Sequence, residues 1–212
     1  MKPKILVTRA IFPETIERLS QHCEIDYNDR DAALPVDQLA ARLSDKVGAI
    51  TLLSDRIDAA ALAGASSLKA VCNVAVGYNN FDLAAITQAG VMATNTPGVL
   101  NDTTADTAWA LLLATARRIV SADKWVRAGQ WQGWKFHDDW FGNDVHHATL
   151  GILGMGRIGQ AVARRAAGFD MRVIYHNRSP LPADIEQACK ATRVDKEALL
   201  RESDFLVLLL PY

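Results

Sequence analysis

The feature that most constrains this chain is residues 149–159, TLGILGMGRIG, a short apolar run leading into Gly154, Gly156 and Gly159 in G-x-G-x-x-G spacing. The apolar run fits a buried parallel strand. After it, residues 157–168 set Ile158, Ala161, Val162 and Ala166 on one helical face, with Gly168 as the expected C-terminal stop. Three glycines at this spacing also occur in ordinary turns, so the motif draws its meaning from lying between a strand and a helix. There Gly154 permits a tight turn, and Gly156, without a Cβ, lets a pyrophosphate approach the backbone. Gly159 lets helix and strand pack closely, and the free N–H groups of the first helical turn receive the phosphates. Gly154, Met155, Gly156, Arg157, Ile158 and Gly159 are therefore the expected centre of a dinucleotide site.

The rest of the chain alternates strand and helix signals. Residues 4–8, 24–27, 48–53, 68–73 and 91–94 read as short strands. Between them, residues 13–20, 36–43, 57–63 and 81–89 read as helices. Beyond the glycine motif, 171–175, 191–194 and 205–210 read as strands and 195–202 as a helix. This order predicts an α/β fold with parallel sheets covered on both faces. At 212 residues the chain is one large domain or two small ones, and 50% hydrophobic residues suffice for a sizeable core.

A net charge of −1 offers no footprint for nucleic acid or an anionic membrane. No apolar run is long enough to span a bilayer. Cys23, Cys72 and Cys189 lie far apart, which argues against a zinc site or a disulfide framework and for a reducing, cytoplasmic setting. Adjacent His146 and His147 could be imagined as a metal pair, but neighbours in extended chain point opposite ways, so they read as structural and no metal is expected.

After Pro97-Gly98 comes the strongest helix signal, in which Ala105, Ala108, Trp109, Leu112, Leu113 and Ala116 recur at helical spacing. Asn101 or Asp102 is the expected cap, Arg117 and Arg118 suit the C-terminal dipole, and the helix is expected to cross between two domains. Residues 121–147 then carry Trp125, Trp131, Trp134 and Trp140 among glycines and charges. So much aromatic surface needs a cover, either the segment's own domain or, preferred here, a second subunit.

In a dinucleotide fold, the end of the strand after the glycine motif reads the adenosine ribose: an acid accepts from the 2′-OH of NAD, while an arginine suits the 2′-phosphate of NADP. Here that strand ends in Tyr175-His176-Asn177-Arg178-Ser179, without an acid. Asn177, Arg178 and Ser179 therefore favour NADP(H), with NAD(H) as the alternative, and a carboxylate at position 177 is expected to reverse the preference.

Four segments now carry a resemblance: LLSD (52–55), NVAVGYNNFD (73–82), NTPGVLNDTTADTAWALLLATARR (95–118) and DVHHATLGILGMGRIGQAVARRA (144–166). Together they resemble the D-isomer-specific 2-hydroxyacid dehydrogenases, closest to the bacterial glyoxylate/hydroxypyruvate reductase (2-ketogluconate reductase) branch. The resemblance implies a flavodoxin-like substrate domain over 1–98 and a Rossmann cofactor domain over 99–212, the latter truncated after its fourth strand. It implies substrate contacts from Leu53, Ser54, Val76 and Gly77, and cofactor contacts from Val76, Thr104, Leu210 and Pro211. It also implies NAD(P)H-dependent reduction of small anionic 2-oxo acids such as glyoxylate, hydroxypyruvate or 2-ketogluconate, and a homodimer through residues 101–147. The family's catalytic Arg, Glu and His match positions beyond Tyr212, so no catalytic residue is assigned here, and the 212 residues alone are expected to be inactive. A non-enzymatic, dinucleotide-sensing interaction protein of the same fold is the alternative.

Overall fold

The computed structural model describes residues 1–134 and 140–210. By internal contacts the chain divides into a first unit, Met1–Val99, and a second that begins at Leu100.

The first unit alternates β1 (Lys4–Val7), α1 (Pro13–Ser20), β2 (Glu24–Tyr27), α2 (Val36–Leu43), β3 (Gly48–Thr51), α3 (Ala59–Leu62), β4 (Ala70–Asn73), α4 (Leu83–Gln88) and β5 (Met92–Thr94). All pairings are parallel, in the order β2-β1-β3-β4-β5, the flavodoxin-like order. Leu6, Leu39, Leu43, Ile57 and Val71 are fully or almost fully buried in its core. Helices α3 and α4 start later than the apolar periodicity suggests, because an aspartate caps each. The Asp58 carboxylate accepts from the N–H groups of Ala60 and Ala61 (3.0 and 3.1 Å), and Asp82 accepts from Ala85 N–H (3.0 Å).

The second unit runs α5 (Asn101–Ala116), α6 (Ile119–Arg127), β6 (Thr149–Leu153), α7 (Arg157–Ala166), β7 (Arg172–His176), α8 (Ala183–Cys189), β8 (Ala191–Arg193), α9 (Lys196–Glu202) and β9 (Phe205–Leu208). Its four parallel strands are ordered β8-β7-β6-β9, which is the 3-2-1-4 portion of a doubly wound sheet. Among the described residues strand β9 therefore pairs only with β6 and forms an edge. Its wholly apolar sequence suits an interior strand, yet here Leu206 and Leu208 are 46% and 65% exposed.

Helix α5 buries Ala105, Trp109, Leu112 and Ala116 within this second unit rather than crossing from one unit to the other. Trp109 Nε1–H donates to Val162 O of α7 (3.0 Å), and its ring stacks on Phe169 at 4.7 Å. Neither Asn101 nor Asp102 caps the helix; Leu100 holds the cap position without a side-chain bond. Asp102 turns instead to Arg165 of α7, which also pairs with Asp106. Gly168 does not stop α7. A 3₁₀ turn carries the chain through Gly168 so that Phe169 reaches Trp109, and the left-handed residue is Asp170 (φ 52°). The short helix α8 has no clear apolar period and was not expected from the sequence.

Candidate functional site

The glycine turn joins β6 to α7, and each glycine there meets different surroundings. Gly154 has φ +103°, and a Cβ on it would lie 2.7 Å from Leu209 O. On Gly159 a Cβ would lie 2.5 Å from Gly154 O, so helix and turn touch backbone to backbone. Gly156 is exposed, and a Cβ built on it meets nothing within 4 Å. That open position beside the first turn of α7 is what a pyrophosphate requires, since the first N–H groups of a helix lack intrahelical partners. Arg157 is exposed at the start of α7 and Ile158 is half-buried. The Met155 side chain is fully buried in the core, and its backbone N–H is taken by Asn177, so Met155 shapes the turn.

Asn177 is not free to face a ribose with its whole amide. Its Oδ1 accepts from Met155 N–H at 2.7 Å, tying the end of β7 to the glycine turn. The loop after Asn177 is held at both ends. Arg193 Nη2 donates to the carbonyls of Asn177 (3.2 Å) and Arg178 (3.4 Å). The buried Tyr175 hydroxyl accepts from Leu181 N–H (3.0 Å) and donates to Glu186 Oε1 (2.5 Å). Burial, and then this bond to a carboxylate, push the Tyr175 pKa up, so the hydroxyl keeps its proton and its donor role.

Leu153, His176, Asn177, Arg178, Lys196 and Leu210 line one cavity of about 440 Å³. The structure thus brings together Asn177, Arg178 and Leu210, which the sequence singled out, with Leu153, His176 and Lys196, which it did not. Ser179 is exposed and outside this lining, and Pro211 lies outside the described residues. Thr104 lines a separate apolar groove along α5 and β9, with Leu111, Leu112, Leu206 and Leu208.

In the first unit, the loops after β3 and β4 carry Leu53, Ser54, Val76 and Gly77. Leu53 is 59% exposed, and its Cδ2 lies 3.7 Å from where a Gly77 Cβ would be. Ser54 Oγ accepts from Arg9 Nη1 at 3.2 Å. The segment 95–96 holds two successive carbonyls: Thr96 N–H donates to Ala75 O (2.9 Å) and Asn95 Nδ2 to Val76 O (2.8 Å). In a trans peptide the N–H opposes the C=O, so the Val76 and Gly77 N–H groups turn away from residues 95–96. Such a pair of N–H groups suits an anion. Beneath the loops, buried Asp55 accepts from Leu52 N–H (2.8 Å) and Thr8 Oγ1–H (2.5 Å). Asn73 Nδ2 donates to Gly77 O at 2.9 Å.

Among the described residues no three or more His, Cys, Asp or Glu side chains gather as a metal site would need. His146 and His147 meet edge to face at 4.9 Å, and His147 has φ 62°. No described helix is long and apolar enough to cross a membrane.

Residues 109–212 match the family model described as D-isomer specific 2-hydroxyacid dehydrogenase, NAD binding domain. Over its whole length the chain is 47% identical to glyoxylate reductase of Thermococcus kodakarensis and 44% identical to that of Pyrococcus horikoshii, and it spans 64% of each relative. A crystal structure of a Thermus thermophilus protein superposes with a TM-score of 0.88 at 40% identity, covering 99% of this chain and 65% of that one. A glyoxylate reductase from Paecilomyes thermophila gives a TM-score of 0.84 at 30% identity, over 100% of this chain and 66% of that one.

Proposed function

Because this chain belongs to the D-isomer-specific 2-hydroxyacid dehydrogenase family, we propose that the whole protein reduces small 2-oxo acids to D-2-hydroxy acids, with NADPH preferred over NADH. Glyoxylate leads the proposed substrates, because both relatives named above are glyoxylate reductases. Hydroxypyruvate and 2-ketogluconate follow as larger anions of the same chemistry. The observation that carries the reading is the glycine cradle, open at Gly156, with a neighbouring cavity whose charged lining residues are both cations. The first unit takes the substrate role and the second the cofactor role, and the cytoplasm is the proposed setting.

The bound cofactor, when present, supplies hydride to the substrate's carbonyl carbon. The chain's own residues bind and orient. The Val76 and Gly77 N–H groups hold the substrate carboxylate, Leu53 and Ser54 flank it, and Val76 also borders the cofactor. Backbone N–H groups at Gly156, Arg157, Ile158 and Gly159 hold the pyrophosphate, while those of Gly154 and Met155 are bonded to His176 O (3.2 Å) and Asn177 Oδ1 (2.7 Å) and fix the turn. Thr104 and Leu210 contact the cofactor. Arg178, with Ser179, receives the 2′-phosphate. Asn177 shapes the turn through Met155, so a carboxylate at 177 acts chiefly by repelling that phosphate. The test is steady-state reduction of glyoxylate by the full-length protein. NADPH is expected to give the higher kcat/KM, and Arg178→Gln to cut the NADPH-to-NADH ratio roughly tenfold, as loss of one charge-assisted contact does. An unsubstituted protein that uses NADH at least as well contradicts the preference.

A homodimer through residues 101–147 belongs to the same proposal. Trp131 and Trp134 are 52% and 92% exposed, and Ile119, Val120 and Val126 are exposed beside them in sequence. Trp125 instead stacks on Trp140 at 4.9 Å, so two of the four tryptophans are engaged with each other while Trp131 and Trp134 are exposed. So much apolar surface in one segment fits an interface around a two-fold axis. Sedimentation of the full-length protein is expected to give a dimer at micromolar concentration, and the double variant Trp131→Ala, Trp134→Ala to weaken it. A monomeric unsubstituted protein overturns the assignment.

A further inference from the structure

Arg178 is not alone in its cavity. Lys196, the first residue of α9, lines the same hollow from a different element. Among the described residues, neither the Arg178 guanidinium nor the Lys196 ammonium has a hydrogen-bond acceptor or carboxylate partner. Among the described residues no acidic side chain lines the hollow. The acid next to Lys196 in sequence, Asp195, is committed elsewhere: its Oδ1 caps α9 by accepting from Ala198 N–H at 2.7 Å.

The position of Lys196 is also built rather than incidental. The link between β8 and α9 is fastened to β7 at two points. Val194 N–H donates to Tyr175 O at 2.9 Å. Val194 O lies 2.9 Å from His176 Nδ1 and can only accept, so the imidazole proton sits on that nitrogen. These bonds set the start of α9 against the end of β7, two residues from Arg178 in one direction and two residues from Lys196 in the other. Two unpaired cations on opposed elements of an acid-free hollow complement a compact dianion carrying three acceptor oxygens.

We propose that Lys196 is a second specificity-determining residue for the cofactor, and that its ammonium and the Arg178 guanidinium hold the 2′-phosphate of an adenine dinucleotide between them. This rests on the NADPH reading above. A ribose bearing a bare 2′-OH leaves both cations without a counter-charge, so the lysine favours the phosphorylated form without contributing to the rest of the nucleotide.

Calorimetric titration of the full-length protein with adenosine 2′,5′-bisphosphate and with adenosine 5′-monophosphate isolates the 2′-phosphate. The unsubstituted protein is expected to bind the bisphosphate more tightly. Lys196→Gln should reduce that ratio roughly fivefold, the scale of one exposed ion-pair contact. It should leave monophosphate affinity unchanged, which also certifies the fold, and Lys196→Arg should keep the ratio. If Lys196→Gln keeps the full ratio while Arg178→Gln loses it, the lysine proposal is overturned and the cofactor reading survives. An unsubstituted protein that does not distinguish the two ligands overturns both.

Discussion

Gly154→Ala should unfold or severely destabilise the second unit, whereas Gly156→Ala should leave it folded and weaken nucleotide binding. The two glycines sit two residues apart, but a methyl group meets opposite conditions at each. At Gly154 the backbone has φ +103°, and the new carbon would lie 2.7 Å from the carbonyl oxygen of Leu209. That carbonyl cannot retreat freely, because Leu209 N–H is bonded to Leu153 O at 2.9 Å. Left-handed strain of about 1–2 kcal/mol and overpacking of about 1–3 kcal/mol act together. Their sum is a large part of the roughly 5–15 kcal/mol that holds a typical domain. At Gly156 φ is −79° and nothing lies within 4 Å of the added carbon. Its methyl occupies the space a pyrophosphate needs, so affinity should fall on the order of tenfold or more, about 1.4 kcal/mol per decade. Thermal melts and NADPH titrations of both full-length variants check this. Equal stability of the two, or unchanged affinity in Gly156→Ala, would remove the cradle from the account.

The second large effect is expected from the 212 residues produced alone. They should not turn over glyoxylate with NADPH, and they should self-associate. The described histidines have other engagements or locations: His176 is tied to Val194 O, His146 and His147 contact each other, and His22 follows α1. His137 lies outside the described residues. A placed general acid typically contributes about 10²–10⁴-fold to such a proton transfer, and none of the described histidines is among the residues proposed above to hold the substrate. The edge strand β9 exposes Leu206 and Leu208, with an apolar groove between it and α5. Unpaired apolar edges recruit other chains. Turnover near about 10 s⁻¹, a common enzymatic rate, from a monodisperse 212-residue product would mean that the acid lies within these residues.

Much of this architecture was legible in the sequence because local and tertiary requirements coincide there. The run 149–159 needs a strand, a tight turn and a helix wherever it occurs, and the β8-β7-β6-β9 order follows from that unit. The α5 stripe from Ala105 to Ala116 is likewise a matter of spacing. Where the structure departs, a distant contact decides. Asp102 abandons a capping role for Arg165, sixty-three residues away. The chain passes Gly168 and turns at Asp170 because Phe169 must reach Trp109. Helix α8 offers no clear apolar period, only Pro182 at its cap and acids in its first turn. In the site, the glycines and Arg178 were legible by motif and position. Asn177's bond to Met155 and the presence of Lys196 were not, since the first depends on how the end of β7 meets the glycine turn and the second on how α9 folds back against β7.

The central claim is that these residues belong to a reductase of small 2-oxo acids rather than to a dinucleotide-sensing interaction protein of the same fold. It is tested most directly by mixing the full-length protein with NADPH and glyoxylate and following nicotinamide oxidation together with the glycolate formed. The account predicts stoichiometric, saturable conversion on the order of 1–10³ s⁻¹, the usual enzymatic range. Tight NADPH binding with no oxidation in the presence of glyoxylate, hydroxypyruvate or 2-ketogluconate would contradict it.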